Sequence, residues 1–99
     1  MKVKEFEAFV TNNARMPLTE KNYVYSFVGL AGETGEVMEW LKKNKLRSTN
    51  PQFTEDDLKN ELGDVLHYVA RICYHHGWTL KGVMKANVDK LSKRYGVSQ

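Results

Sequence analysis

Two short acidic motifs contain the residues of this sequence whose types and spacing could do chemistry. One reads E-x-x-E and the other E-x-x-D, and each lies in a segment with the apolar periodicity of a helix. Residues three apart lie on one face of a helix, so each motif can present two carboxylates side by side. The four acids are Glu33, Glu36, Glu61 and Asp64.

The apolar residues of the same two segments indicate that the acidic pairs converge. A helix turns by about 100° per residue, which places each pair on one flank of an apolar stripe, on corresponding sides of the two helices. Packing of one stripe on the other would bring the four acids together at the edge of the core. Either pair alone is typical of a solvated helix face, whereas two pairs on matching flanks favour a binding site.

Four converging carboxylates need a neutralising partner, because like charges repel and burial disfavours the charged form. The motifs contain no cysteine or histidine, which argues against zinc. Oxygen ligands are typical of Mg²⁺, with Mn²⁺ as a substitute. Since magnesium usually takes substrate phosphates as further ligands, the motifs predict a substrate that contains a diphosphate.

The rest of the sequence predicts an all-α fold as the frame for these acids, with no alternating strand pattern. Thr54 and Thr79 are typical N-caps, and Gly77 is typical of the left-handed residue that ends a helix. Pro51 disfavours helix just before it and separates the second helix from the third. We therefore expect one domain, a bundle of four to five helices. The expected helices cover residues 2–11, 21–46, 55–76 and 80–96 of a domain that spans residues 1–99.

Apolar residues at helical spacing mark the faces that should be buried, and residues such as Val28, Met38 and Trp40 extend apolar character beyond them. A helix that is apolar over a broad arc needs a second partner, so we expect a homodimer or homotetramer to complete the bundle. The expected buried stripes are Val3, Phe6 and Val10 on the first helix; Tyr23, Phe27, Leu30, Thr34, Val37 and Leu41 on the second; Leu58, Leu62, Val65, Leu66, Val69 and Cys73 on the third; and Leu80, Met84, Val88, Leu91 and Tyr95 on the fourth.

Four glycines lie inside the two acidic helices, at positions 29, 32, 35 and 63. Each should cost about 1 kcal/mol relative to alanine in a helix interior. Close approach of another helix and close approach of a ligand explain them equally well. The segment GLAGETGE lacks the G-K-[ST] ending and the preceding strand of a P-loop.

The bulk composition is that of an ordinary globular protein, with 41% hydrophobic and 27% charged residues. The net charge of +3 is spread along the chain, which gives no strong indication of a nucleic-acid partner. No apolar run approaches the roughly 18 residues of a membrane span. A single cysteine, Cys73, cannot form an internal disulfide, which fits the reducing cytoplasm.

Two segments of the chain, GLAGETGEVMEWLKK and ELGDVLHYVARICYHHG, resemble the MazG-type all-α nucleoside triphosphate pyrophosphohydrolases. Their signature is E-x-x-E, a spacer and E-x-x-D, and here the 24 residues 37–60 separate the two motifs. The segment KANVDKLSKRYG is similar to the N-x-x-K-L-x-x-R ending of the family. The resemblance covers about residues 28–96.

This resemblance implies Mg²⁺-dependent hydrolysis of a nucleoside triphosphate between its α and β phosphates, by a protein that forms dimers or tetramers. It implies that the four motif acids are the metal ligands and that Asn87, Lys90 and Arg94 face the nucleotide. The same three residues form an i, i+3, i+7 row of donors beside the apolar stripe of the fourth helix, as polyphosphate binding requires. One of the acids, Glu33 or Glu36, would accept the proton of the attacking water.

Two aromatic residues, Trp40 and Tyr68, lie on the same helical flanks as the acids. Each could stack on a nucleotide base or serve only in packing. A different class of function also fits the sequence: a non-catalytic helical oligomer or a basic nucleic-acid-binding module. Four inward-facing acids argue against nucleic acid, because without a metal they would repel phosphate.

Overall fold

The computed structural model describes residues 1–14, 16–46 and 53–97. In these ranges the chain is all-α, as predicted, and contains no strand. The second helix continues into one π-helical segment, Lys42–Leu46, instead of remaining α-helical to its end. The residues 47–52, with the break expected at Pro51, lie outside the described ranges. The helices are α1 (Val3–Ala14), α2 (Glu20–Leu41), α3 (Glu55–His76) and α4 (Leu80–Tyr95).

The ends of α3 and the start of α4 follow the local sequence. The Thr54 hydroxyl accepts a hydrogen bond from the Asp57 amide at 3.1 Å, and the Asp57 carboxylate accepts one from the Thr54 amide at 2.8 Å. This reciprocal capping box satisfies two amides that the first turn leaves without partners. Gly77 closes α3 at φ 70°, where other residues are strained. Thr79 caps α4 by accepting from the Gly82 amide at 2.9 Å.

The two acidic helices, α2 and α3, form an antiparallel hairpin that is joined at both ends. At one end the Tyr23 hydroxyl and His76 Nε2 lie 3.0 Å apart. At the other end the Trp40 indole N–H donates to the Thr54 carbonyl at 2.8 Å. Since both ends are paired, the register of one helix against the other is set along the whole hairpin.

A buried asparagine holds the chain just before α3. Asn44 is 5% exposed, and its side chain both donates to the Phe53 carbonyl at 2.9 Å and accepts from the Phe53 amide at 3.1 Å. A buried amide needs such partners. This pair therefore ties the π-helical segment to the start of α3.

The core lies between α1 and α3, where Val10, Met16 and Ala70 are buried and Phe6 and Tyr74 pack against them. Much of the expected burial on α2, α3 and α4 is wrong for a single chain. Four helices of this length leave one face of each hairpin helix and nearly all of α4 without a covering element. The residues that were expected inside but are exposed are Phe27, Thr34, Leu41, Leu62, Leu66, Met84, Val88 and Tyr95.

The last helix, α4, is attached mainly at its start. The Glu7 carboxylate of α1 accepts hydrogen bonds from the Leu80 and Lys81 amides, which suits the positive end of a helix dipole. Every residue from 81 to 90 is exposed. The radius of gyration is 16.1 Å, against about 13 Å for a compact domain of this length. Among the described helices, none is long and apolar enough to cross a membrane.

Candidate metal centre

The antiparallel hairpin brings the two acidic motifs to the same level. One carboxylate oxygen from each of Glu33, Glu61 and Asp64 lies within 4.8 Å of the others. The Glu33 and Glu61 side chains are half-buried, and Asp64 is exposed. Residues far apart in the chain thus form one group of acids that is open to solvent on one side.

Negative charge is concentrated in this group, and its effect appears in the pKa of Glu33. Burial raises the pKa of Glu33, and the charges of Asp64, Glu61 and Glu36 raise it further. Glu36 is exposed and lies outside the group of three, although it is near enough for its charge to act on Glu33. The structure therefore brings three of the four expected ligands together and leaves the fourth beside them.

The donor set fits a hard divalent cation. All three groups offer carboxylate oxygens, which is the ligand type of Mg²⁺ and Mn²⁺. A divalent ion between the three would remove the repulsion that raises the pKa of Glu33. The described side chains of this group include no thiolate or imidazole, so its chemistry does not match zinc.

The two aromatic residues expected near the acids differ in their surroundings. Trp40 is half-buried and its N–H is used by the Thr54 carbonyl, which leaves the ring faces for other contacts. A shallow cavity of about 570 Å³ lies beside it. Tyr68 instead packs between the two helices against Gly29. The cavity is lined by Trp40, Glu55, Asp56, Leu58, Lys59 and Leu62.

The expected donor row is not brought to the acids within one chain. Asn87, Lys90 and Arg94 are exposed on α4. In the described ranges this helix packs on α1 and α3 and makes no contact with α2. Within a single chain, these three residues therefore do not lie where they could contact a substrate bound at the acids.

Two further residues of the hairpin, Tyr25 and Arg71, were missed by sequence reasoning. Arg71 is 9% exposed, and its guanidinium lies 5.2 Å from the Tyr25 ring centroid and 5.4 Å from that of Tyr68. A signal was present in the spacing: residues 61, 64, 68 and 71 follow each other at intervals of three and four, which is one face of a helix. An arginine in that row reads as a surface residue until the partner helix is known.

Comparisons with known proteins agree with the geometry. The family profile of the MazG nucleotide pyrophosphohydrolase domain matches residues 26–96. The "Gene 37 protein" of Mycobacterium phage L5 is 40% identical over 73 residues, which are 71% of this chain and 63% of that protein. The chain thus spans somewhat less than two thirds of the length of this relative. No solved structure matches this chain significantly.

Proposed function

Because this chain belongs to the MazG nucleotide pyrophosphohydrolase family, we propose that it hydrolyses nucleoside triphosphates, ribo- or deoxyribo-, between the α and β phosphates. The products would be a nucleoside monophosphate and pyrophosphate, a reaction suited to nucleotide-pool sanitation. The observation that carries this proposal is the convergence of Glu33, Glu61 and Asp64 within 4.8 Å.

The three converging acids would hold Mg²⁺, or Mn²⁺ in its place. The bound cation supplies charge neutralisation of the phosphates and a lower pKa for a nearby water. Glu36, exposed on the next turn of α2, is then available to accept a proton from the attacking water. The water oxygen bonds to the α phosphorus, the bond from that phosphorus to the bridging oxygen breaks, and pyrophosphate leaves with the bridging oxygen.

The Trp40 cavity is the proposed place for the nucleotide base. Its wall combines an indole with the apolar side chains of Leu58 and Leu62, and an aromatic face stacks on any base. The hydrogen bond from Trp40 to the Thr54 carbonyl fixes the ring. A fixed ring loses little entropy when a base stacks on it.

A second copy of the chain is the proposed partner. The exposed apolar residues of α4 and the large radius of gyration leave surface that an isologous dimer, or a tetramer of such dimers, would cover. For Asn87, Lys90 and Arg94 to contact phosphate, α4 must lie against the acids of a neighbouring copy. The proposed site is thus shared between subunits.

Release of pyrophosphate from a panel of nucleoside triphosphates, with and without Mg²⁺, tests the proposal. Glu61→Gln and Asp64→Asn should each lower the rate by about 100-fold or more, since loss of mere outer-sphere support for a metal already costs 10–100-fold. Glu39→Gln is the matched control, because Glu39 lies on α2 outside the cluster and pairs with Lys42 and Lys43.

Two results would contradict the proposed function. One is the absence of turnover on every triphosphate with either cation, and salt-sensitive binding to DNA or RNA alongside it would favour a nucleic-acid-binding module. The other is full activity in a folded Glu61→Gln variant, which would show that Glu61 is not part of the active site.

A further inference from the structure

Arg71 has an environment that its fold does not explain. The side chain is 9% exposed, and its Nε has no hydrogen-bond acceptor among the described residues. Burial of a cation is costly unless it is paired and hydrogen-bonded. An acceptor from outside the chain would offset that cost.

Two tyrosines hold the Arg71 guanidinium in place. The Tyr25 and Tyr68 ring centroids lie 5.2 and 5.4 Å from it and 6.2 Å from each other. Contact with aromatic faces offsets part of the cost of burying the cation. Ring faces do not satisfy the N–H groups that point outward in the guanidinium plane, and the enclosed Nε–H has no acceptor among the described residues.

The position of Arg71 relates it to the acids. It follows Asp64 by seven residues on the same face of α3, which is about 10 Å along the helix. His67 lies between them: burial and the Arg71 charge lower its pKa, and the Asp64 charge acts in the opposite direction. Along this face of α3 the acids are therefore followed by the arginine.

A polyphosphate whose α phosphate lies at the acids can extend along this face toward Arg71. We propose that Arg71 binds the β and γ phosphates, which leave as pyrophosphate, while the α phosphate lies at the acids. This assignment rests on the proposed function and adds the site for the leaving group. A planar fork suits two phosphate oxygens, and its fixed charge stabilises the negative charge that develops on the leaving group.

Binding of pyrophosphate in the presence of Mg²⁺, measured by calorimetry, tests the assignment without turnover. Arg71→Met keeps much of the length of the side chain and removes the fork, so the dissociation constant should rise by about 10-fold or more, as for loss of hydrogen bonds to a charged group. Lys21→Met removes one exposed cation from α2 and should leave the constant unchanged. The thermal midpoint of Arg71→Met should not fall, because a buried, unsatisfied cation has been removed.

NMR on the wild-type protein gives a second measurement that needs no stable Met variant. The Nε–H signal of Arg71, assigned by its loss in Arg71→Lys, should shift when pyrophosphate is added. Unchanged pyrophosphate binding in folded Arg71→Met, or an Nε–H signal that stays in place at saturation, would overturn the assignment. Turnover by the wild type judges the proposed function separately, since an active enzyme with an unaltered KM in Arg71→Met would refute only the role of the arginine.

Discussion

At the scale of single residues, the acids that would hold a metal should destabilise the folded protein when no metal is bound. The pKa of Glu33 is raised by burial and by three neighbouring acids, so the folded state binds a proton at this group more tightly than the unfolded chain does. Stability is then greatest when Glu33 is protonated and declines as pH rises through its folded-state pKa. At neutral pH the ionised group destabilises the metal-free fold.

Glu33→Gln should therefore raise the thermal midpoint of the metal-free protein at pH 7. The gain should vanish at a pH below the ordinary glutamate value of 4.5, where the wild-type side chain is protonated as well. Mg²⁺ should raise the midpoint of the wild type by mass action and have much less effect on the variant. Thermal melts at both pH values, with and without the cation, measure all three.

Glu39→Gln is a control at a glutamate whose pKa is shifted in the opposite direction. Lys42 and Lys43 lower the pKa of Glu39, so loss of its charge should not raise the midpoint at pH 7. Two results would contradict repulsion among the converging acids. One is a thermal midpoint of metal-free Glu33→Gln below that of the wild type, and the other is an equal Mg²⁺ response in the wild type and Glu33→Gln.

At the scale of elements, one close approach determines how α2 meets α3. A Cβ built on Gly29 would overlap the Tyr68 ring, so any larger residue here requires the ring to shift. The same ring contacts Arg71. This packing supports both the register of the acids and the position of the arginine.

Gly29→Ala should destabilise the protein despite the better helix propensity of alanine. Overpacking costs about 1–3 kcal/mol and the propensity gain is about 1 kcal/mol, so the free energy of unfolding should fall by about 1 kcal/mol. Denaturant titration measures the change.

Gly32→Ala is the matched control on the same helix. Nothing in the described chain lies within 4 Å of a Cβ at Gly32, so the propensity gain should appear as a stabilisation of about 1 kcal/mol. Equal effects of the two substitutions would show that Tyr68 does not limit the approach of the helices.

At the scale of the whole molecule, one chain buries too little of its apolar surface. Leu66 is 51% exposed and Tyr95 is 66% exposed. Their apolar neighbours on α3 and α4 form faces that no described element covers. A second copy that placed its α4 against α2 and α3 would cover these faces and bring the donor row to the acids.

Light scattering should accordingly give a mass of two or four times the 11.4 kDa chain. Asp64→Asn and Arg94→Ala should each be inactive alone. An equal mixture, exchanged by mild unfolding and refolding, should recover about a quarter of the wild-type activity for a twofold dimer with shared sites. A monomeric mass, or no recovery on mixing, would contradict a site shared between subunits.

Local features of this protein could be read from its sequence. The helix ends follow from Thr54, Gly77 and Thr79, whose side chains or backbone freedom act within a few residues of where they stand. The convergence of Glu33 with Glu61 and Asp64 was also foreseeable, because helical periodicity relates each acid to the apolar face of its own helix. Antiparallel packing of two such faces leaves few alternative arrangements.

Only the tertiary structure decided which apolar faces are covered and which polar groups meet. Periodicity marks a face as apolar without saying whether an element of the same chain covers it, so Leu66 and Tyr95 were wrongly expected inside. The same limit applies to the buried Arg71, whose tyrosine neighbours come from both helices. Of the four motif acids, sequence spacing identified the set, and the packing of α2 on α3 selected Glu33, Glu61 and Asp64, because the distances between side-chain oxygens depend on the approach of two helices.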